Sequence, residues 1–261
     1  YHLKTYGCQM NVRDSDSVGA ALTRRGWVAA ASESEADVIV VNTCSVRGKA
    51  EDKALGKLGL LVASKRERPD RIVGAIGCMV QNLGDSIFTR VPGLDFAIGT
   101  RRLWRVPAIV DFVAGGGGPV LETSGDDPRW EDLSGHAETG ISAFVNILFG
   151  CNRRCSYCVV PRVRGEEWSR LAPSVLEEVR GLAERGTREV TLLGQSVMSY
   201  GRTNSVWPEG SISPGGFREP LARLLEASAA VPGIRRVRFT SGHPSGCSAE
   251  LVRAMAEVEG V

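Results

Sequence analysis

Ala143-Phe-Val-Asn-Ile-Leu-Phe-Gly-Cys151-Asn-Arg-Arg-Cys155-Ser-Tyr-Cys158 runs an apolar segment straight into three cysteines spaced CxxxCxxC. The segment Ala143–Phe149 reads as a buried strand, and the cysteines fall on the loop that follows it. Thiolate is a soft ligand that favours iron–sulfur clusters, zinc and copper(I). Three thiolates on one short loop hold three corners of a cubane and leave the fourth iron open. A structural zinc site needs a fourth ligand nearby, but the next cysteine is Cys247 and His243 lies far downstream. The ligand count therefore favours an open-site cluster over zinc. A disulfide would leave an odd thiol on the same loop.

Downstream of the loop, the pattern continues as helix, strand, helix, strand, helix. Pro173–Arg185 is a helix with Ser169 or Ser174 as its cap, and Arg188–Leu193 is a strand running into Gly194-Gln195. Phe217–Val231 holds a helix, Ile234–Phe239 a strand, and Ser248–Val258 a helix capped by Ser248. Alternation on this scale predicts a parallel barrel or open sheet, with active residues at the carboxyl ends of the strands. Three strands do not close a barrel, so an incomplete one is expected.

Upstream, the alternation is the same. His2–Tyr6, Asp37–Asn42, Arg71–Ile76 and Leu94–Ile98 are strands, and Asp37–Asn42 is the near-continuous apolar type of a buried parallel sheet. Helices are predicted over Val18–Arg25, with Asp14, Ser15 and Asp16 as caps, over Gly48–Arg66 and over Arg101–Val113. Cys8, Cys44 and Cys78 each come one or two residues past a strand end. In an open parallel sheet those ends share one edge, where ligands bind, so the three cysteines are expected to converge as a second three-thiolate site. The competing reading is that they are small core residues. Cys247 has no partner at ligand spacing and reads as a packing residue, and His243 as either a turn histidine before Pro244 or a functional one.

The chain has 261 residues, 43% of them hydrophobic and 24% charged, which is ordinary for a soluble globular protein. No apolar run approaches the roughly 18 residues of a membrane span. No secretory-type opening segment is present, so the seven cysteines read as reduced, cytosolic thiols used for metal. A net charge of +2 does not by itself argue for nucleic acid, and the basic runs at 65–68, 101–105 and 235–238 read first as solvated surface. Phosphate loops of the GxGxxG or GxxxxGK type are absent, which argues against nucleotide hydrolysis. The Gly-, Ser- and Asp-rich stretch 114–140 lacks periodicity and reads as a linker that Trp130 helps to pin. The expected domains are thus 1–113, linker 114–140, and 141–261.

The cysteine loop, together with Cys158-Val-Val-Pro161, Arg164-Gly165 and Ser169-Arg170, resembles the core of the radical S-adenosylmethionine (SAM) methylthiotransferases. Thr5-Tyr-Gly-Cys8-Gln-Met-Asn11, Asn42-Thr-Cys44-Ser-Val-Arg47 and Gly77-Cys78-Met-Val-Gln81 resemble that family's amino-terminal domain. Leu193-Gly-Gln195 and Phe239-Thr-Ser-Gly-His-Pro244 resemble later strand-end motifs, with Ser196 and Met198 where tRNA-modifying members commonly carry asparagine.

The resemblance implies a Rossmann-like open parallel sheet followed by a partial radical-SAM (β/α) barrel, half of the family's six units and without its carboxyl-terminal RNA-binding module. It implies two 4Fe–4S clusters, an auxiliary one on Cys8, Cys44 and Cys78 and a SAM-cleaving one on the catalytic set Cys151, Cys155 and Cys158. Glu189, Gln195 and Arg170 are candidate SAM contacts. The implied reaction uses two SAM molecules to place a methylthio group on C2 of N6-isopentenyladenosine beside a tRNA anticodon. A flavodoxin or ferredoxin would supply electrons to a cytoplasmic, monomeric enzyme. Gln9-Met10-Asn11 is the form seen in tRNA-modifying members. A ribosomal-protein aspartate or threonylcarbamoyladenosine as target, a non-enzymatic iron–sulfur carrier and a zinc-binding adaptor are the alternatives.

Overall fold

Residues 1–46, 48–125, 134–137 and 140–261 are described by the computed structural model. Arg47 of the second cysteine motif and Trp130, expected to pin the linker, lie outside the described residues. The chain divides into two compact units. The first comprises Tyr1–Ala137 with Arg154–Arg164, and the second Glu138–Arg153 with Gly165–Val261.

In the first unit, β1 (His2–Thr5), β2 (Val38–Thr43), β3 (Ile72–Gly77), β4 (Phe96–Ile98) and β5 (Val120–Glu122) form a 5-stranded sheet in the order β1-β2-β3-β4-β5. All four pairings are parallel. The order follows the chain without the reversal of a Rossmann sheet. Strands β2 and β3 are buried along their whole length, as their runs Val-Ile-Val-Val and Ile-Val-Gly-Ala-Ile require. Helices α1 (Gln9–Arg24), α2 (Gly48–Ala63), α3 (Cys78–Leu83), α4 (Ser86–Arg90) and α5 (Val106–Ala114) connect the strands. Ile39, Val41, Val73, Ala75 and Ala97 of the sheet pack with Ala54, Leu58 and Leu61 of α2 and Met79 and Val80 of α3. Each buried Val or Leu contributes about 1.5–3 kcal/mol.

Two expectations need correction here. The segment read as linker contains β5, because three residues are too few to show a period and pairing through backbone asks little of side chains. Helix α1 starts at Gln9 rather than Val18. Asp14 and Ser15 do not cap it but are buried inside it, on a polar face that sequence periodicity reads as non-helical.

In the second unit, β6 (Ser142–Asn146), β9 (Glu189–Leu193) and β10 (Arg236–Phe239) make a parallel 3-stranded sheet in the order β10-β9-β6. A short antiparallel pair, β7 (Leu148–Phe149) with β8 (Trp168–Ser169), brackets the cysteine loop. Helices α7 (Ala172–Glu184), α8 (Pro220–Ala229) and α9 (Ala249–Glu257) follow the strands, giving three β/α units of an open barrel. Val175, Val179 and Leu182 of α7, Leu221, Leu224 and Leu225 of α8 and Leu251 of α9 share one core with Val145, Val190, Leu192 and Val237 of the sheet. Ser248 caps α9 through Leu251 N–H, as expected. Leu171, not Ser169 or Ser174, stands at the start of α7. Among the described residues no helix is long and apolar enough to cross a membrane.

Candidate functional site

Strands β1, β2 and β3 are neighbours in register, with Thr5 opposite Asn42 and Thr43 opposite Gly77. Their carboxyl ends therefore lie level, about 4.8 Å apart from strand to strand. Cys8 stands at the start of α1, Cys44 directly after β2, and Cys78 at the first position of α3. Glycine makes the approach possible. A Cβ on Gly7 (φ +149°) would sit 3.0 Å from Cys44 Cβ, and one on Gly77 (φ +99°) 2.6 Å from the Thr43 carbonyl oxygen.

A buried amide pair ties the same ends together. Asn11 Nδ2 donates to Asn42 Oδ1 at 2.9 Å and to Thr43 O at 3.0 Å, and Asn42 Nδ2 donates to Asn11 O at 2.9 Å. Cys8 Sγ donates to Asn11 Oδ1 at 3.5 Å, and Cys44 Sγ accepts from Val46 N–H at 3.4 Å. Among the described residues, no three His, Cys, Asp or Glu side chains are gathered tightly enough to hold a metal ion. The donor set still suits a thiolate-ligated cluster: three reduced cysteines on adjacent strand ends, two of them buried.

Helix α6 (Val160–Arg164), from the segment after the second cysteine triplet, packs against α3 and the turn Thr100–Arg105. The Thr100 hydroxyl donates to Val163 O. This brings Arg164 beside Asp14 in an ion pair of 2.7 Å, with only 3% and 1% of the two side chains exposed. Burial pushes the Cys78 thiol up, and the charge of the Arg164 guanidinium offsets part of that. Burial also works against the charge of Arg164, but Asp14 and then Cys78 hold its pKa above the ordinary arginine value.

Cys155 and Cys158 belong to the first unit, where Cys158 N–H donates to Cys155 O at 3.0 Å in a tight turn. Cys151 belongs to the second unit, buried, with its N–H donating to Gly165 O at 3.1 Å. At the carboxyl edge of the second sheet, Asn146 ends β6 and Gln195 follows β9. Asn146 Oδ1 and both polar side-chain atoms of Gln195 are buried without a hydrogen-bond partner among the described residues. Buried polar atoms are nearly always satisfied, so unpartnered ones at a strand edge suit a polar ligand such as SAM. Ser241, just past β10 on this edge, holds a positive φ of 62°.

Of the three residues expected to contact SAM, Gln195 lies at the carboxyl edge of the second sheet, just past β9. Glu189 opens β9, at the amino edge of the sheet, and pairs with Arg236 and Arg238 at 3.0 and 3.3 Å. Arg170 is buried and already engaged, with Glu178 Oε2 at 2.7 Å, Asn146 O at 2.8 Å and Ser174 Oγ at 3.0 Å. It fixes the end of β6 rather than facing a ligand. His243 is a turn residue whose Nδ1 accepts from Ser245 N–H. Cys247 is exposed rather than packed. Ser196 is buried against Ser199, and Met198 fills the space beside Gly242 and Gly246. Sequence reasoning missed Asp14 and Asn146. For Asn146 the signal was a polar residue inside the apolar run Ala143–Phe149; for Asp14 there was none beyond its nearness to Cys8.

Residues 1–99 match an uncharacterized protein family, UPF0004, and residues 145–257 match the radical SAM superfamily. A tRNA-2-methylthio-N(6)-dimethylallyladenosine synthase of Opitutus terrae is 40% identical over 284 residues, covering 97% of this chain and 58% of that protein. One from Ralstonia nicotianae is 43% identical over 256 residues, covering 97% and 54%. The chain thus spans little more than half the length of these relatives. Among solved structures, the radical S-adenosylmethionine methyltransferase TsrM of Kitasatospora setae, with cobalamin and a [4Fe-4S] cluster bound, superposes with a TM-score of 0.59 at 15% identity. That match covers 98% of this chain and 67% of the TsrM chain, and shows a shared fold. Two family models thus match in turn along the chain, and relatives with the tRNA-2-methylthio-N(6)-dimethylallyladenosine synthase name are about 40% identical to it along nearly all of its own length.

Proposed function

We propose that the protein installs a methylthio group at C2 of N6-isopentenyladenosine beside a tRNA anticodon, using two 4Fe–4S clusters and two SAM molecules. The observation that carries this reading is the pair of three-cysteine sets, each one ligand short of a closed site, with the first set on three adjacent strand ends. The relatives' names support the substrate.

Cys8, Cys44 and Cys78 would hold the auxiliary cluster, which asks for side-chain rotation at Cys8 and Cys44 away from Asn11 and Val46. Cys151, Cys155 and Cys158 would hold the SAM-binding cluster, with Gln195 and Asn146 as polar contacts to SAM. When bound, these groups supply a 5′-deoxyadenosyl radical for hydrogen abstraction and a sulfur for methylation and transfer. The chain's own part is to fix the strand ends. Arg170 holds the Asn146 carbonyl, the amide pair holds β1 against β2, and the Cys151 N–H anchors its loop on Gly165. An unpaired anticodon-loop base would be presented splayed out, as sequence-specific RNA recognition requires. A flavodoxin- or ferredoxin-type protein would donate the electrons.

The test is anaerobic reconstitution of the protein and of a Cys151/Cys155/Cys158→Ala variant. Iron content should fall from about eight to about four per chain, with 5′-deoxyadenosine formation abolished. Zinc in place of iron, or equal iron in both proteins, would overturn the reading.

A further inference from the structure

We propose that Arg101 and Arg162 grip the phosphate backbone of the substrate RNA, from a basic face at the carboxyl edge of the first sheet. The inference rests on the RNA substrate proposed above and adds the surface that holds it.

The face is built on the turn Thr100–Arg105, which follows β4. At about three residues per turn, Thr100, Leu103 and Val106 fall on one side and are buried, so Arg101, Arg102, Trp104 and Arg105 share the other. The Arg102 and Arg105 guanidiniums stand 5.8 and 5.6 Å from the centre of the Trp104 ring, within cation–π range. Helix α6 closes onto this turn, in the same unit, through the hydrogen bond from the Thr100 hydroxyl to Val163 O. That bond joins the residue before Arg101 to the residue after Arg162, so the two arginines come from segments stapled together.

Charge is unbalanced on this face. Among the described residues, the carboxylate paired with it is Glu122 at the end of β5, 2.7 Å from Arg105 and 3.9 Å from Arg102. Arg102 also donates to Ser124 O at 2.9 Å. Arg101, half-buried, and Arg162, exposed, have no ion pair among the described residues, which leaves both charges for a ligand. The position of the face points to the occupant. Ile98 of β4 stands opposite Ile76 of β3, so the turn begins one strand spacing from the segment that carries Cys78, and it packs against α3. Ligands of a parallel sheet bind at this edge. An RNA brought there presents phosphate oxygens, which guanidinium forks match in shape and charge.

The test is fluorescence anisotropy of the full chain with two anticodon stem-loop RNAs, over a series of potassium chloride concentrations. One RNA carries N6-isopentenyladenosine and the other plain adenosine. Each phosphate contact adds about 0.7–0.9 to the slope of log affinity against log salt. Arg101→Gln/Arg162→Gln should flatten the slope by about 1.4–1.8 and weaken both RNAs about tenfold or more at low salt, with the preference between them unchanged. Arg101→Lys/Arg162→Lys keeps the charges and should keep the slope. Arg66→Gln/Arg235→Gln removes equal charge from exposed positions ahead of β3 and β10 and should leave the slope alone. A parental slope in Arg101→Gln/Arg162→Gln, or equal flattening by the control pair, overturns the proposal. If the double variant does not fold, Arg162→Gln decides alone: a slope flatter by about 0.7–0.9 supports the proposal and an unchanged one refutes it. A parent that binds neither RNA at low salt overturns the RNA-substrate reading itself, and this inference with it.

Discussion

Replacing Gly150 by alanine should loosen the anchor of Cys151 while leaving the rest of the second unit folded. Gly150 has φ +70°, and a Cβ there would lie 1.9 Å from Glu166 O and 2.6 Å from Gly165 O. Ordinary contact starts at 3.4 Å, so the Glu166 carbonyl must retreat by roughly 1.5 Å. The left-handed backbone costs alanine about 1–2 kcal/mol. The same retreat breaks the 3.1 Å bond from Cys151 N–H to Gly165 O, worth about 0.5–1.5 kcal/mol. Together these come to roughly 1.5–3.5 kcal/mol of local stability, a 10- to 400-fold faster exchange of the Cys151 amide. Hydrogen–deuterium exchange of a peptide covering residues 147–153 reads this directly, and iron retention by the reconstituted variant should fall in parallel. Gly186→Ala is the control: φ is +98° there, but nothing lies within 4 Å of its Cβ, so only the backbone cost remains. Equal protection at 147–153 in parent and Gly150→Ala would refute the argument.

Arg170→Gln strips the buried Glu178 of its partner and should destabilise the second unit by about 3–5 kcal/mol in urea unfolding; an unaltered transition would mean that the ion pair contributes nothing. Gln195→Leu removes two unpartnered buried polar atoms, so thermal stability without SAM should hold or rise while calorimetric SAM affinity drops at least tenfold. Asp16 works against burial, yet the hydrogen bond from His136 and the charge of Arg13 lower its carboxyl pKa. Because the folded value is the lower one, its stabilisation is present above the unfolded value of about 3.9 and is lost as pH falls through the folded value. Asp16→Asn should therefore narrow the gap between urea midpoints at pH 7 and pH 3.

The parts of the fold written in apolar periodicity were legible in advance. Strands β2, β3 and β9 and helices α7, α8 and α9 fall within a few residues of their expected places, because hydrophobic runs and caps such as Ser248 are local signals. The convergence of Cys8, Cys44 and Cys78 was expected from their strand-end positions alone; β1, β2 and β3 are indeed neighbours, but among the described residues no three such side chains are gathered tightly enough to hold a metal ion. What stayed hidden is non-local. The first half of α1 was obscured by Asn11, Asp14 and Ser15, polar residues buried only because a partner arrives from elsewhere in the chain. Glu189 and Arg170 looked like ligand contacts because composition cannot tell a charged side chain engaged in an ion pair from a free one.

The discontinuity of the first unit bears on its birth at the ribosome. Residues 1–137 can emerge and pair their strands, but α6 and Arg164 leave the tunnel 27 residues later, the difference between Ala137 and Arg164. At 5–20 residues per second that interval lasts roughly 1–5 s. Throughout it Asp14 has no counter-charge, so the polar interior of α1 is the last part of that unit to settle. A fragment cut at the apparent linker would remain in this waiting state permanently, whereas one ending after Gly165 would carry its own final piece.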